Sequence, residues 1–173
     1  MDFTPVVFGE IPGRQRATTN SFELALSVLF LSGIQHYAET AKGMEKVSDY
    51  LKQYLEDIPV SWDQSKFIDG YPSKLVIIAR KTGNKWYVAW INGENKEKNI
   101  PVNLSFINAK NGELISDVTN RETKRGVIQL PENKIVDLHM LGNGGFVMKF
   151  VEWLKSDRSD FKIIWTYYFR IWV

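Results

Sequence analysis

The chain has 173 residues, 44% of them apolar and 24% charged, and its 22 lysines and arginines nearly balance 20 acids to leave a formal charge of +2. A chain of this size buries roughly 70% of its unfolded surface, which excludes wholesale disorder; so small a charge excludes the basic stripe that neutralises a phosphate backbone, and nucleic acid is not an expected partner. The absence of cysteine removes disulfides, thiolate zinc sites and thiol nucleophiles together.

Met1 to Thr4 reads as a short first strand ended by Pro5. Asp2 lies on it, where a carboxylate either orients a sugar hydroxyl or caps the next turn. The segment from Phe8 to Thr18 carries Glu10, Arg14 and Arg16; it is read as solvated charge, with an active-site loop as the alternative. Asn20 and Glu23 have capping-box spacing and predict a helix through Leu31 that stops at Gly33. That helix is apolar on nearly every face and needs cover that nothing else in the sequence obviously supplies.

Ile34 to Glu39 reads as a second short strand. If it belongs to a parallel barrel, His36 and Tyr37 face a site at its C-terminal end; an ordinary inter-strand hydrogen bond for His36 stands beside that reading. Glu45 to Ile58 carries Val47, Tyr50, Leu51, Tyr54, Leu55 and Ile58 as a one-sided stripe ending at Pro59, an amphipathic helix. Strand, helix, strand, helix is a fragment of an α/β layer, and two strands cannot close a sheet by themselves. The beginning of the fold is expected to be missing.

From Lys66 onward the period changes to two. Leu75 to Lys81 and Lys85 to Asn92 flank Thr82-Gly83-Asn84, a three-residue hairpin loop. Trp86, Val88 and Trp90 share one parity and point inward together, with Tyr87 and Ile91 opposite. Further strands are read over Ile100 to Phe106, Glu113 to Val118, Gly126 to Leu130, Lys134 to Met140 and Gly145 to Phe150, with Pro101 placing its strand at an edge or marking its start. Evenly spaced short strands predict an antiparallel sandwich. Seven of the 23 aromatic residues crowd the last 23 positions, yet Phe161 to Val173 is too short to cross a bilayer, and no membrane span is expected.

Chemistry is sparse. His36 and His139 have no metal-ligand spacing, and His139 falls on the solvent parity of its strand. There is no G-x-S-x-G, and Gly142 to Gly145 opens no helix, so it is a turn rather than a phosphate cradle. Asn103-Leu104-Ser105 matches a glycosylation sequon, a match common by chance. Trp62, Trp86 and Trp90 invite a sugar-stacking reading, with core packing the better role for at least two of them.

The ordered series Met1-Asp2-Phe3-Thr4-Pro5, Arg16-Ala17-Thr18-Thr19-Asn20, Glu23-Leu24-Ala25-Leu26, Ser32-Gly33-Ile34-Gln35-His36-Tyr37-Ala38, Ser61-Trp62-Asp63, Phe67-Ile68-Asp69-Gly70-Tyr71-Pro72 and Trp86-Tyr87-Val88-Ala89 resembles the C-terminal part of glycoside hydrolase family 97. The resemblance implies an α+β chain: residues 1–60 as the last two βα units of a catalytic (β/α)8 barrel, residues 61–150 as an all-β sandwich of the oligomerisation type, and residues 151–173 as an aromatic tail without counterpart. It implies α-glucosidase or α-galactosidase chemistry, an oligosaccharide substrate (an α-glucoside or α-galactoside), calcium dependence, homo-oligomers and a bacterial periplasmic or extracellular setting for the complete enzyme. The catalytic carboxylates and calcium ligands of such enzymes lie upstream of the matched region, so none is carried onto a position here; Asp2 and His36 are the candidates for lining a sugar subsite. The expectation is a C-terminal fragment without activity of its own, with a free-standing carbohydrate-binding module and a hydrolase completed by a separate upstream half as the alternatives.

Overall fold

The computed structural model describes residues 5–9, 13, 15–32 and 34–153. Helices α1 (Asn20–Leu29), α2 (Ala41–Glu45) and α3 (Asp49–Glu56) precede eight strands, β1 (Gln64–Tyr71), β2 (Leu75–Thr82), β3 (Lys85–Asn92), β4 (Lys98–Asn103), β5 (Asn111–Asp117), β6 (Thr123–Gln129), β7 (Ile135–Met140) and β8 (Gly145–Val151). Every ladder is antiparallel, in a six-stranded sheet ordered β1-β2-β3-β8-β5-β6 and a two-stranded sheet of β4 with β7. The expected sandwich is present.

Its inner core follows from strand parity. Trp86, Val88 and Trp90 of β3 turn inward with Ile77, Phe146, Met148 and Phe150, and the two-stranded sheet closes over them with Val102, Val136 and Met140. Trp90 and Phe146 meet edge to face with centroids 4.9 Å apart. The β2–β3 loop is one residue tighter than expected, because Thr82 pairs with Lys85 and leaves Gly83 and Asn84 to turn the chain, Gly83 at φ +53. Pro101 lies on β4, which among the described residues has β7 on one side and no strand on the other, a place that tolerates its missing N–H.

The opposite face of the large sheet is dry as well. Tyr87, Ala89, Ile115 and Val147 pack against Val6, Leu24, Ala25, Val28, Leu51, Tyr54 and Leu55 in a second core. The expected lack of cover for α1 is therefore corrected: β3, β8, β2 and β5 supply it. Leu75 to Ala79 and Trp86 to Ile91 are apolar on both parities, the pattern of strands covered on two faces, but the pattern does not say which element provides the second cover.

Three local expectations also shift. Helix α1 starts where expected, but its N-cap is Thr19, whose Oγ1 accepts from Phe22 N at 3.1 Å, while the Asn20 amide donates to Arg121 O at 2.6 Å. The helix ends at Leu29, with Phe30 as its C-cap, ahead of Gly33, which lies outside the described residues. The helix read over Glu45 to Ile58 is shorter, because Glu45 is the last residue of α2 and Ser48 leaves helical geometry at φ −58, ψ 140, so that α3 runs only from Asp49 to Glu56; Leu51, Tyr54 and Leu55 are nonetheless its buried face, as the spacing requires.

The first of the two strands expected of a barrel, Met1 to Thr4, lies outside the described residues. The second, Ile34 to Glu39, is not a regular strand: Gln35 forms an isolated bridge, and one backbone bond runs from Ala38 N to Pro5 O at 3.1 Å. A ladder needs a continuous neighbour for its backbone groups, and no described strand lies alongside this segment. Among the described residues no helix is long and apolar enough to cross a membrane.

Candidate functional site

Two sets of side chains fasten the helical layer to the large sheet. At the end of β5 the Asp117 carboxylate accepts from Thr19 Oγ1 at 2.7 Å, Ser21 N at 3.0 Å and Gly145 N at 3.1 Å, joining the N-terminus of α1 to the start of β8. Burial raises the Asp117 carboxyl above its ordinary range, against the pull of these donors. Beside it, Arg121 donates from the β5–β6 turn to Thr18 O at 2.9 Å and to Arg16 O at 2.5 Å. Buried Glu23 accepts from Val7 N at 3.2 Å and Thr18 Oγ1 at 2.6 Å, with the Arg16 guanidinium 3.9 Å away. At the other end of α1, Arg80 of β2 donates to the carbonyls of Val28 and Leu29.

Arg121 also borders a cleft of about 950 Å³ whose walls include Phe8, Glu39, Lys42, Lys46 and Tyr50. Glu39 accepts from Phe8 N at 2.8 Å, Gly9 N at 2.5 Å and Thr40 N at 2.9 Å. A carboxylate ringed by three amides is a clasp for the backbone rather than a group poised to move a proton.

A second polar cluster lies between α3 and the sheet. Asp57 accepts from Lys85 Nζ at 2.6 Å, Tyr87 Oη at 2.9 Å and Lys149 Nζ at 3.1 Å, and Lys149 also reaches Glu113 at 3.2 Å. Burial works to raise the Asp57 carboxyl, but the bonds from Lys85, Tyr87 and Lys149 outweigh it and hold the group below its usual value. Burial and the bond to Asp57 push the Tyr87 phenol well up. Every member has a partner of opposite charge or a hydrogen-bond acceptor, so the cluster is a seam that joins layers.

The positions expected to line a sugar subsite are not brought together. Asp2 lies outside the described residues, as do Glu10 and Arg14, and His36 is exposed on the irregular segment after α1. His139 is exposed, 3.0 Å from Asn99 Oδ1. Trp86 and Trp90 are core residues, and half-buried Trp62 stands edge to face with Tyr87 at 5.3 Å, so two of the three sugar-stacking candidates have no free ring face. Among the described residues no three His, Asp or Glu side chains gather as metal ligands. Of the side chains that hold the layers, Arg80 leaves a sequence signal, a guanidinium directly after the apolar run Leu75 to Ala79. Asp117 and Asp57 leave none, since acids before turns are ordinary.

Residues 61–151 match the family described as glycosyl-hydrolase 97 C-terminal, oligomerisation. The chain is 36% identical over 88 residues to a probable retaining alpha-galactosidase of Streptomyces bingchenggensis, covering 51% of this chain and 14% of that protein. It superposes on a beta-arabinopyranosidase with a TM-score of 0.74 and 29% identity, covering 79% of this chain and 22% of that one. It also superposes on a glycoside hydrolase family 97 enzyme from Pseudoalteromonas sp. strain K8, solved with panose, with a TM-score of 0.68 and 25% identity over 79% of this chain and 23% of the other. The chain thus spans less than a quarter of the length of each of these relatives.

Proposed function

The chain belongs to the glycosyl-hydrolase 97 C-terminal family, and from that premise we propose that it is the packing and association module of an α-glycosidase, with the catalytic carboxylates on a part its longer relatives have and this chain does not supply. The observation that carries the reading is the position of the family match: it coincides with the sandwich, β1 to β8. The clasped side chains support it, because Asp117, Glu23, Glu39 and Asp57 are all engaged in holding segments together.

In this reading residues 1–60 are the last two βα units of a (β/α)8 barrel, whose strands gain partners when the rest of the barrel is beside them. The backbone bond from Ala38 to Pro5 is what adjacent barrel strands would leave in such a pair. Asp2 and His36 then line the rim of a sugar subsite, an α-glucoside or α-galactoside is the substrate of the assembled enzyme, and any calcium belongs to its catalytic part. The sandwich carries homo-association.

The test is an assay of the purified chain on aryl α-glucoside and α-galactoside, alone and mixed with a catalytic barrel of the same family plus calcium, with its mass measured by sedimentation. An inactive chain that self-associates is expected. Turnover by the chain alone overturns the assignment of catalysis elsewhere, and a strict monomer overturns the association role.

A further inference from the structure

The six-stranded sheet ends in β1 on one side and β6 on the other, and each end strand has one row of backbone groups without a strand partner among the described residues. Such a row is a template for a further strand unless side chains forbid it. Strand β1 is eight residues long and carries two exposed aromatic rings, Phe67 and Tyr71, each 64% exposed.

Its charges are arranged in an unusual way. In a regular strand Lys66 and Asp69, three positions apart, would lie on opposite faces. The irregularity between Phe67 and Asp69 changes that: Lys66 pairs with Ala79 and Asp69 with Ile77, and both partners face the inner core. Lys66 and Asp69 therefore share a face. Lys66 rests over the Phe106 ring at 4.5 Å and Asp69 accepts from Gly70 N at 2.8 Å, and neither makes an ion pair among the described residues.

We propose that β1 is the edge through which two copies of this chain associate, pairing antiparallel about a two-fold axis so that Lys66 of each copy lies opposite Asp69 of the other. Residues directly opposed in an antiparallel pair lie on one face, which the shared face of Lys66 and Asp69 satisfies. A two-fold axis repeats every contact, so one complementary pair becomes two. The same register sets Ser65 opposite Gly70 and Gln64 opposite Tyr71, and the large sheet continues across both copies.

The other edges do not complement themselves. Strand β6 carries Lys124 and Arg125 and no acid, and Arg125 is already bound to Glu113 at 2.7 Å. Strand β4 has Pro101, which lacks an N–H, and β7 offers Asp137 without a lysine or arginine.

The inference rests on the association role proposed above and names its surface. Sedimentation equilibrium of the full chain, with Lys66→Glu, with Asp69→Lys and with the two combined, tests it. Each single substitution sets like charges opposite at both pairs and is expected to weaken the dimer at least tenfold; the combination exchanges the charges and is expected to recover most of the affinity. Circular dichroism melts establish that each variant is folded, and Asp69→Lys reads independently should Lys66→Glu disturb the Phe106 contact. A monomeric wild-type chain overturns the association role. A wild-type dimer that ignores the single substitutions, or that the combined substitution fails to restore, overturns the β1 edge while leaving association in place.

Discussion

The guanidinium of Arg80 on β2 donates to the carbonyl of Val28 at 2.6 Å and to that of Leu29 at 2.9 Å, across more than 50 residues of chain. These are C-terminal carbonyls of α1, which a helix cannot satisfy internally, and α1 has no basic residue in its own last turn. The sheet thus provides the positive charge that a helix C-terminus favours. Replacing Arg80 by Leu leaves two buried acceptors unmet and is expected to lower stability by about 2–4 kcal/mol. Urea unfolding measures it, and Arg80→Lys, which keeps the charge without the fork, should recover less than half.

Asp117 gathers a hydroxyl and two amides from two separate elements. Asp117→Ala orphans those donors, and a loss of about 3 kcal/mol is expected, with Thr19→Val contributing less than additively in a double-mutant cycle. The pH dependence has a definite sign. The folded carboxyl is raised above its unfolded value, so over the window above the ordinary aspartate range the folded chain holds more protons, and the residue's contribution falls as pH rises. The gap between wild type and Asp117→Ala should be wider near pH 3.5 than at pH 7.

Asp57 behaves in the opposite sense. Its folded carboxyl is held below 3.8, so the unfolded chain binds more protons as acid is added, and the stability it contributes above that value is lost as pH falls through the folded pKa. Melting temperatures taken from pH 6 to pH 2 should drop more steeply for wild type than for Asp57→Asn, with the difference concentrated below pH 4.

Gly145 opens β8 directly beneath α1. A Cβ there would stand 2.8 Å from Phe22 Cα and 2.8 Å from Trp90 O, both backbone atoms that cannot swing aside. Gly145→Ala is expected to cost about 1–3 kcal/mol. Gly126 on β6 has open space around the same atom, so Gly126→Ala should be neutral or slightly stabilising. Thermal melts of the pair compare the two.

How far the residues disclosed the fold depends on whether the deciding contact was local. The β2–β3 hairpin and the inward turn of Trp86 and Trp90 were legible, because turn chemistry and parity act within a few residues. The cap of α1 lies one residue before the capping-box signal, since the Asn20 side chain is drawn to Arg121 O, 101 residues away, and Thr19 caps in its place. The cover over α1 was only half legible: Trp86 to Ile91 is apolar on both parities, as a strand covered on two faces is, but only the tertiary arrangement puts Leu24 and Val28 upon Tyr87, Ala89 and Val147. The side chains that join the layers were hidden for the same reason, with partners as distant as Asp117 and Thr19.

The seam at residue 60 is a boundary of pattern and not of material. Strand β3 is enclosed from above and below, so a polypeptide cut to begin at Ser61 would bare Tyr87, Ala89, Ile115 and Val147 to solvent in a single greasy plane. An evolutionary module and a thermodynamic one need not have the same edges, and here the layer that covers that plane consists of the helices that the family's own segment leaves out.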